Sequence, residues 1–283
     1  TLYGADAANG VIQIITKKGK AGESNIFVET RIGSISGTDD YLKYARTAEA
    51  LFEPGLLNEY RLGMNGGTEI STYNFSASLY KDDSFNDINE QIKRNLSFGF
   101  TRNINDKLRY QASMSYVNMD SNLDYNANTS FSRFSAFEGG GRGDLDTMED
   151  ATWETELDRS RNIGKAVDIK NRVNRFTASN KLIYKLPYNI EANLTAGLDF
   201  RTLVQQENST NQMQIYQGSI PDGTANRASL DRLIRNNFTL TTDLNFTHRG
   251  SIDNFDFVTI AGAQFFRTTD RQNLVSGSGG VDG

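Results

Sequence analysis

The sequence predicts an all-β chain that forms an antiparallel transmembrane β-barrel, and three observations support this fold class. Apolar and polar residues alternate within segments of about ten residues. Long and short connections alternate between these segments. The 283 residues include 17 Phe, 12 Tyr and 25 Gly but only 3 Pro, a composition that favours strands joined by many turns.

The alternation defines about nine strands. Within Thr72–Tyr80, for example, Tyr73 and Phe75 point to one face of the strand, while Asn74 and Ser76 point to the other. The predicted strands are Asn25–Ile32, Tyr60–Asn65, Thr72–Tyr80, Asn95–Arg102, Leu108–Val117, Arg175–Tyr184, Ile190–Arg201, Asn237–His248 and Phe255–Arg267.

The length of the strands favours a membrane barrel. A strand of a β-sandwich usually has about 5–6 residues. Ten residues at about 3.3 Å each, tilted near 45°, cover roughly 23 Å, close to the height of the apolar band of an outer-membrane barrel. A soluble glycan-binding β-sandwich remains the alternative, and it would pack the apolar residues against a second sheet.

The connections support the same fold. Tight turns are predicted at Gly66–Thr68, Asn103–Asp106, Lys185–Asn189 and Arg249–Asn254, and longer segments join the other strand ends. Bacterial barrels have short periplasmic turns and long external loops, so the even-numbered strands are expected to descend towards the periplasm. An odd, open set of strands would leave unpaired edges in hydrocarbon, so further strands are expected elsewhere and the chain is expected to be a fragment.

Composition excludes several classes of function. The net charge of −5 argues against nucleic-acid binding, and the absence of cysteine excludes disulfides, thiolate metal sites and a cysteine nucleophile. His248, the single histidine, falls at a predicted turn, which leaves no histidine relay or multi-histidine metal site. No apolar run reaches the roughly 18 residues of a spanning helix. We therefore expect neither an enzyme nor a cofactor.

Two glycine-rich or acidic stretches are interpreted as loops. Gly139–Gly143 lacks the Lys-Ser/Thr ending of a phosphate loop. Asp144, Asp146, Glu149 and Asp150 lack the glycine and terminal glutamate of an EF-hand, so a solvated acidic loop is favoured, with calcium binding as the open alternative.

Two helices are predicted in the external loops. Thr38–Asp40 is expected to cap a helix that ends before Pro54. One face of this helix carries Tyr41, Tyr44, Ala48, Leu51 and Phe52. Thr147 and Asp150 form a predicted capping box for a second helix, Met148–Arg159. Both are interpreted as packed loop structure, and the alternative is a pair of membrane-surface helices, which usually carry a basic polar face that these two lack.

The beginning of the chain carries a recognisable pattern. The residues that carry it are a Leu-Tyr-Gly followed by small residues, an Asn-Gly-Val-Ile run and a polar exit: Leu2, Tyr3, Gly4, Asn9, Gly10, Val11, Ile12 and Thr16–Gly19. This pattern resembles the end of the plug domain of SusC/RagA-like TonB-dependent outer-membrane transporters. Weaker matches follow in the order of that family's barrel, at Gly66–Glu69, Trp153, Asn171–Val173, Gly197–Asp199 and Ala261–Gln264.

The resemblance implies a domain organisation and a function. It places the carboxyl end of a plug at residues 1–21 and the first part of a 22-stranded barrel at residues 22–283. It implies import of oligosaccharides or peptides across the outer membrane of a Gram-negative bacterium, with a SusD-like surface lipoprotein as lid. It also implies coupling to TonB through an amino-terminal region that is absent here. The open alternative is a structural or adhesin barrel subunit without transport.

Aromatic residues in the predicted external loops are the candidate contacts to substrate or partner, because aromatic faces bind sugar rings and anchor protein interfaces. The alternative is that they pack the loops internally. The candidates are Tyr125, Phe131, Phe134, Phe137 and Trp153.

Overall fold

The computed structural model describes residues 22, 24–125, 132–139, 143–216 and 228–280. Nine strands make up most of it: β1 (Asn25–Ile35), β2 (Gly55–Gly67), β3 (Ser71–Asp82), β4 (Glu90–Asn103), β5 (Leu108–Leu123), β6 (Val167–Leu186), β7 (Ile190–Ser209), β8 (Ala228–Ile252) and β9 (Phe255–Gly280). Four helices lie between strands: α1 (Ala45–Leu51), α2 (Arg133–Glu138), α3 (Asp150–Lys165) and α4 (Asn211–Tyr216).

The strands form one antiparallel sheet in chain order, from β1 to β9. Each strand pairs with its sequence neighbour, as in an up-and-down barrel wall. The predicted fold class and the set of nine strands are confirmed. The sandwich alternative is wrong for the described residues, because all nine strands belong to a single sheet and no second sheet covers it.

Short and long connections alternate as predicted. The short ones span residues 68–70, 104–107, 187–189 and 253–254, while residues 36–54, 83–89, 124–166 and 210–227 connect the strands at the opposite end. Tyr188 and Asn189 both have positive φ, 62° and 54°. This conformation suits a tight hairpin, because it matches the twist of the flanking strands.

Several strands are longer than predicted. β8 has 25 residues and β9 has 26, about twice the lengths that the apolar alternation indicates. Most of the additional residues lie towards the long connections, where polar and apolar side chains are mixed on both faces of the strands. The alternation signal therefore reports only the apolar part of each strand.

One face of the sheet, here called the apolar face, carries the alternating apolar residues. Four aromatic residues on adjacent strands are cross-strand neighbours on this face: Tyr116 pairs with Phe176, Phe176 with Phe200, and Phe200 with Phe238. All four side chains are exposed, at 37–43%. We call them the aromatic row.

The opposite face, here called the polar face, is held by ion pairs and hydroxyl contacts. Arg175 of β6 forms a two-pronged pair with Asp199 of β7, and Arg235 of β8 does the same with Asp270 of β9. Ser76 and Ser97 share a hydrogen bond of 2.6 Å between their Oγ atoms. The two faces of the sheet thus present different chemistry.

The buried apolar residues of the described chain lie in the connections and not in the sheet. They are Tyr44, Leu51, Phe137, Leu145, Trp153, Leu157, Ile163, Ala166 and Met213. Among the residues that the structure describes, no apolar layer packs against either face of the sheet. Of the described helices, none combines the length and apolar character needed to cross a membrane.

Both predicted helices exist, but their boundaries and caps were predicted incorrectly. α1 begins at Ala45, and its N-cap, Tyr44, makes no side-chain capping bond. α3 runs from Asp150 to Lys165, six residues beyond the predicted end, and its N-cap is Glu149. Thr147 is not in a capping box, because its hydroxyl donates to the carbonyl of Asp144 instead.

Candidate functional site

The four long connections form a helical layer at one end of the sheet, and we call their described parts the cap. Its main core contains six buried residues: Tyr44, Leu51, Phe137, Leu145, Trp153 and Leu157. The rings of Phe137 and Trp153 lie 5.8 Å apart between centroids in a tilted arrangement. Helices that are too short to be stable alone are held by this shared core.

α1 receives its N-terminal cap from another connection. The carboxylate of Asp146 accepts hydrogen bonds from the backbone N–H groups of Ala45 and Arg46, at 3.2 and 3.1 Å. The first N–H groups of a helix have no partner within the helix, so an external carboxylate satisfies them and also favours the helix dipole. Asp146 thereby fixes the β1–β2 connection to the β5–β6 connection.

Arg46 strengthens the same junction. Its guanidinium donates to the carbonyl of Met148 at 2.8 Å and to the carboxylate of Asp150 at 2.9 Å. The guanidinium also lies 5.4 Å from the ring centroid of Trp153, within cation–π range. Thr47 and Glu138 form a further short hydrogen bond between α1 and α2.

Arg133 of α2 is the buried charge of the cap, with only 1% of the residue exposed. Its Nη2 donates to Oδ1 of Asp87 at 2.6 Å, and its Nε donates to Oδ2 of Asp124 at 2.9 Å. Nη2 also donates to Asn86 at 3.2 Å. One side chain therefore joins α2, the β3–β4 connection and the end of β5.

The electrostatics of Arg133 follow from these contacts. Burial lowers the pKa of the guanidinium, but hydrogen bonds and charge from Asp87 and Asp124 outweigh burial, and the pKa lies above its ordinary value. A buried cation with two carboxylate partners remains charged and is costly to leave unpaired.

A second, smaller cluster joins the cap to the sheet. Ile163, Ala166 and Met213 are buried together, with Tyr125 and Val167 packed against them. Tyr125 and Ser209 share a hydrogen bond of 2.5 Å between their hydroxyl oxygens. Burial raises the pKa of Tyr125 to about 12.

Below this cluster the polar face carries an open groove of about 630 Å³. Its walls combine apolar residues with two carboxylates and the Tyr125 ring: Ile169, Leu233, Leu274, Glu207, Asp231 and Tyr125. A groove of this composition can hold an amphipathic solute through apolar contact and hydrogen bonding.

The predicted site residues occupy different places in the cap. Phe137 and Trp153 are buried in the main core, and Phe134 packs against that core while partly exposed. Tyr125 lines the groove. Phe131 and the plug-end residues Leu2, Tyr3, Gly4, Asn9, Gly10, Val11 and Ile12 lie outside the described residues. Contact of these aromatics with substrate or partner stays a prediction.

The sequence reasoning missed Arg133, its partners Asp87 and Asp124, and the capping role of Asp146. A signal for Arg133 was present, since it is a cation within the aromatic-rich stretch 131–137. The acidic loop is structural in part, because Asp146 and Asp150 are engaged by α1. In the described part of the chain, no group of three or more acidic or histidine side chains is placed to hold a metal ion.

A meander of long strands with one exposed apolar face, an ion-paired polar face and a helical cap is the arrangement of part of a β-barrel wall. Comparison with solved structures gives the same fold. The chain is similar to the RagAB peptide importer in its closed-closed state, with a TM-score of 0.74 at 16% identity, and to its open-open state, with a TM-score of 0.73 at 15% identity.

These matches cover 98% and 99% of this chain but 38% of each matched chain. BauA, the ferric preacinetobactin receptor from Acinetobacter baumannii, matches with a TM-score of 0.50 at 11% identity, over 92% of this chain and 32% of BauA. No protein-family model matches the sequence, and no curated protein matches it. The chain thus has the fold of part of a RagA-like barrel and spans well under half the length of those structures.

Proposed function

We propose that this chain is part of a TonB-dependent importer that carries bulky nutrients, oligosaccharides or peptides, across the outer membrane of a Gram-negative bacterium. One observation carries the proposal: a single nine-stranded meander, exposed on its apolar face, aligns over almost its whole length with the RagAB peptide importer. The apolar face would lie against lipid, and the polar face would line the interior of the barrel.

The proposed domain organisation assigns residues 1–21 to the end of the plug and residues 22–283 to the barrel. β1 and β9 are the two edges of the described sheet. An open edge in hydrocarbon costs several kcal/mol per unpaired backbone group. We therefore infer that β1 and β9 pair with further strands of the complete barrel.

The cap is the proposed contact surface for substrate and for a SusD-like lipoprotein. Asp146 and Arg133 support this role, because they hold three connections in one arrangement and so reduce the cost of ordering them on binding. Phe134 and Tyr125 are the proposed aromatic contacts, since both are incompletely buried at the surface of that arrangement. Phe137 and Trp153 would act indirectly, by supporting the surface.

Uptake by cells that produce the full-length protein tests the proposal. We expect a fluorescently labelled oligosaccharide or peptide to accumulate in the periplasm, and accumulation to stop when TonB is deleted or an uncoupler dissipates the proton-motive force. Binding at the cell surface without uptake, unchanged by TonB deletion, would contradict import and favour the structural or adhesin subunit.

A further inference from the structure

The apolar face carries a group of cations beyond the aromatic row, on the side of the cap. On β6, Arg172 lies four residues and Lys170 six residues from Phe176 towards the cap, on the same face as Phe176. On β8, Arg232 lies six residues from Phe238 in the same direction and on the same face. Arg94 of β4 lies on this face two residues beyond Leu96, the cross-strand neighbour of Tyr116.

In the proposed membrane orientation of the sheet, these positions correspond to the headgroup layer. Aromatic residues of outer-membrane barrels form girdles at the interface between hydrocarbon and water. At about 3.3 Å per residue and a tilt near 45°, Arg172 lies roughly 9 Å above the aromatic row. Long Arg and Lys side chains cover several Å more, so their charged ends reach the headgroups.

Four cations on this surface face two carboxylates. Asp120 accepts from Arg94 at 3.0 Å and from Arg172 at 2.7 Å, and Lys170 pairs with Asp168 at 2.8 Å. Lys81 of β3 and Glu90 of β4 lie on the same face and pair with each other, so their charges cancel. Arg94, Lys170, Arg172 and Arg232 against Asp120 and Asp168 then leave a surplus of two positive charges. The side chains of Arg94, Lys170 and Arg172 are 50–66% exposed, so the pairing leaves donors available.

Lys170, Arg172 and Arg232 line a groove of about 210 Å³. Gln206 of β7 lies at its centre, with Lys170 as its cross-strand neighbour on one side and Arg232 on the other. Strands two apart are separated by about 10 Å. Two flexible cations at this spacing can both contact one anionic oxygen cluster between them.

We propose that Arg94, Lys170, Arg172 and Arg232 bind the phosphate headgroup of a membrane lipid whose acyl chains lie against the apolar face. The surplus positive charge favours an anionic ligand over a neutral one. The site lies directly above the exposed side chains of Phe176, Phe200 and Phe238, which acyl chains can contact, so a lipid is favoured over a free anion. The proposal rests on the proposed membrane orientation of the sheet but not on nutrient import.

Native mass spectrometry of the full-length protein in detergent micelles tests the proposal, with phosphatidic acid or phosphatidylcholine as the added lipid. The test variant is Arg172→Gln/Arg232→Gln. The matched control is Arg175→Gln/Arg235→Gln, which removes the same charges from the same two strands on the polar face. A thermal unfolding curve for each variant verifies folding.

We expect the wild type to bind phosphatidic acid more tightly than phosphatidylcholine. Each cation near an anionic lipid contributes about a fivefold factor in affinity, so the test variant should bind phosphatidic acid roughly 25-fold more weakly and the control should stay within about twofold. Excess inorganic phosphate should compete poorly. Equal losses in both variants, no preference for phosphatidic acid, or full competition by inorganic phosphate would overturn the proposal. Lost import with intact lipid binding would contradict only the proposed function.

Discussion

Arg133 of α2 and Asp87 of the β3–β4 connection are joined by a contact of 2.6 Å between Nη2 and Oδ1, although they are 46 residues apart in the chain. The guanidinium is buried, and Asp124 holds its other edge. This side chain therefore joins the β3–β4 connection to the β5–β6 connection, in which both Arg133 and Asp124 lie.

Replacing Arg133 with methionine should loosen the β3–β4 and β5–β6 connections together. Asp87 and Asp124 would lose their partner. Breaking a buried ion pair typically costs about 3–5 kcal/mol of stability. Because Asp87 is partly exposed, we expect a loss of stability near the lower limit of this range. Hydrogen exchange of the full-length protein should show faster exchange in residues 83–89 and 133–138. Arg161→Met is the control, because Arg161 and its partner Asp158 are both exposed and their pairing contributes little. Equal exchange in both variants would contradict the role given to Arg133.

Asp146→Ala should destabilise α1 selectively. The loss of an N-terminal cap costs about 1 kcal/mol, so α1 amides should exchange roughly fivefold faster while the sheet is unchanged. Asp146→Asn retains one acceptor oxygen and should have a smaller effect. Exchange of α1 that is insensitive to both substitutions would show that the apolar core alone fixes this helix.

The raised pKa of Tyr125 predicts that the folded cap loses stability at alkaline pH. An unfolded tyrosine ionises near pH 10, whereas burial raises the pKa of Tyr125 to about 12 in the folded cap. The neutral hydroxyl therefore stabilises the folded state fully below pH 10, and this contribution is lost as the pH rises from about 10 to about 12. Tyrosinate absorbance of the wild type minus that of Tyr125→Phe should titrate near pH 12. A midpoint near pH 10 would contradict burial of this hydroxyl.

The sequence allowed the sheet to be predicted better than the cap. Apolar residues such as Phe98, Met114 and Leu194 alternate with polar neighbours. This alternation predicts a strand from the local sequence alone, because a period of two does not depend on contacts with the rest of the chain. The ends of β8 and β9 were missed because polar and apolar residues are mixed on both faces there and carry no such period.

The cap depends on contacts between distant segments. The carboxylate that caps α1 lies about 100 residues away, so Thr38–Asp40 gave a plausible local cap that the structure does not use. Burial of Phe137 and Trp153 likewise follows from how the β1–β2 and β5–β6 connections meet. Tertiary contacts of this kind produce no periodic pattern in a single sequence. The aromatic candidates could therefore be identified from the sequence, but the residues that surround them could not.

Spin labels on neighbouring residues test most directly whether the apolar face meets lipid. The 283 residues contain no cysteine, so Leu194→Cys and Thr195→Cys place single labels on opposite faces of β7 within this part of the chain. With the full-length protein in phosphatidylcholine vesicles, the label at 194 should collide with oxygen far more than with a water-soluble nickel chelate. The label at 195 should show the reverse preference or be shielded from both. Free access of the chelate to position 194, or a label there that neither reagent reaches, would contradict the membrane barrel.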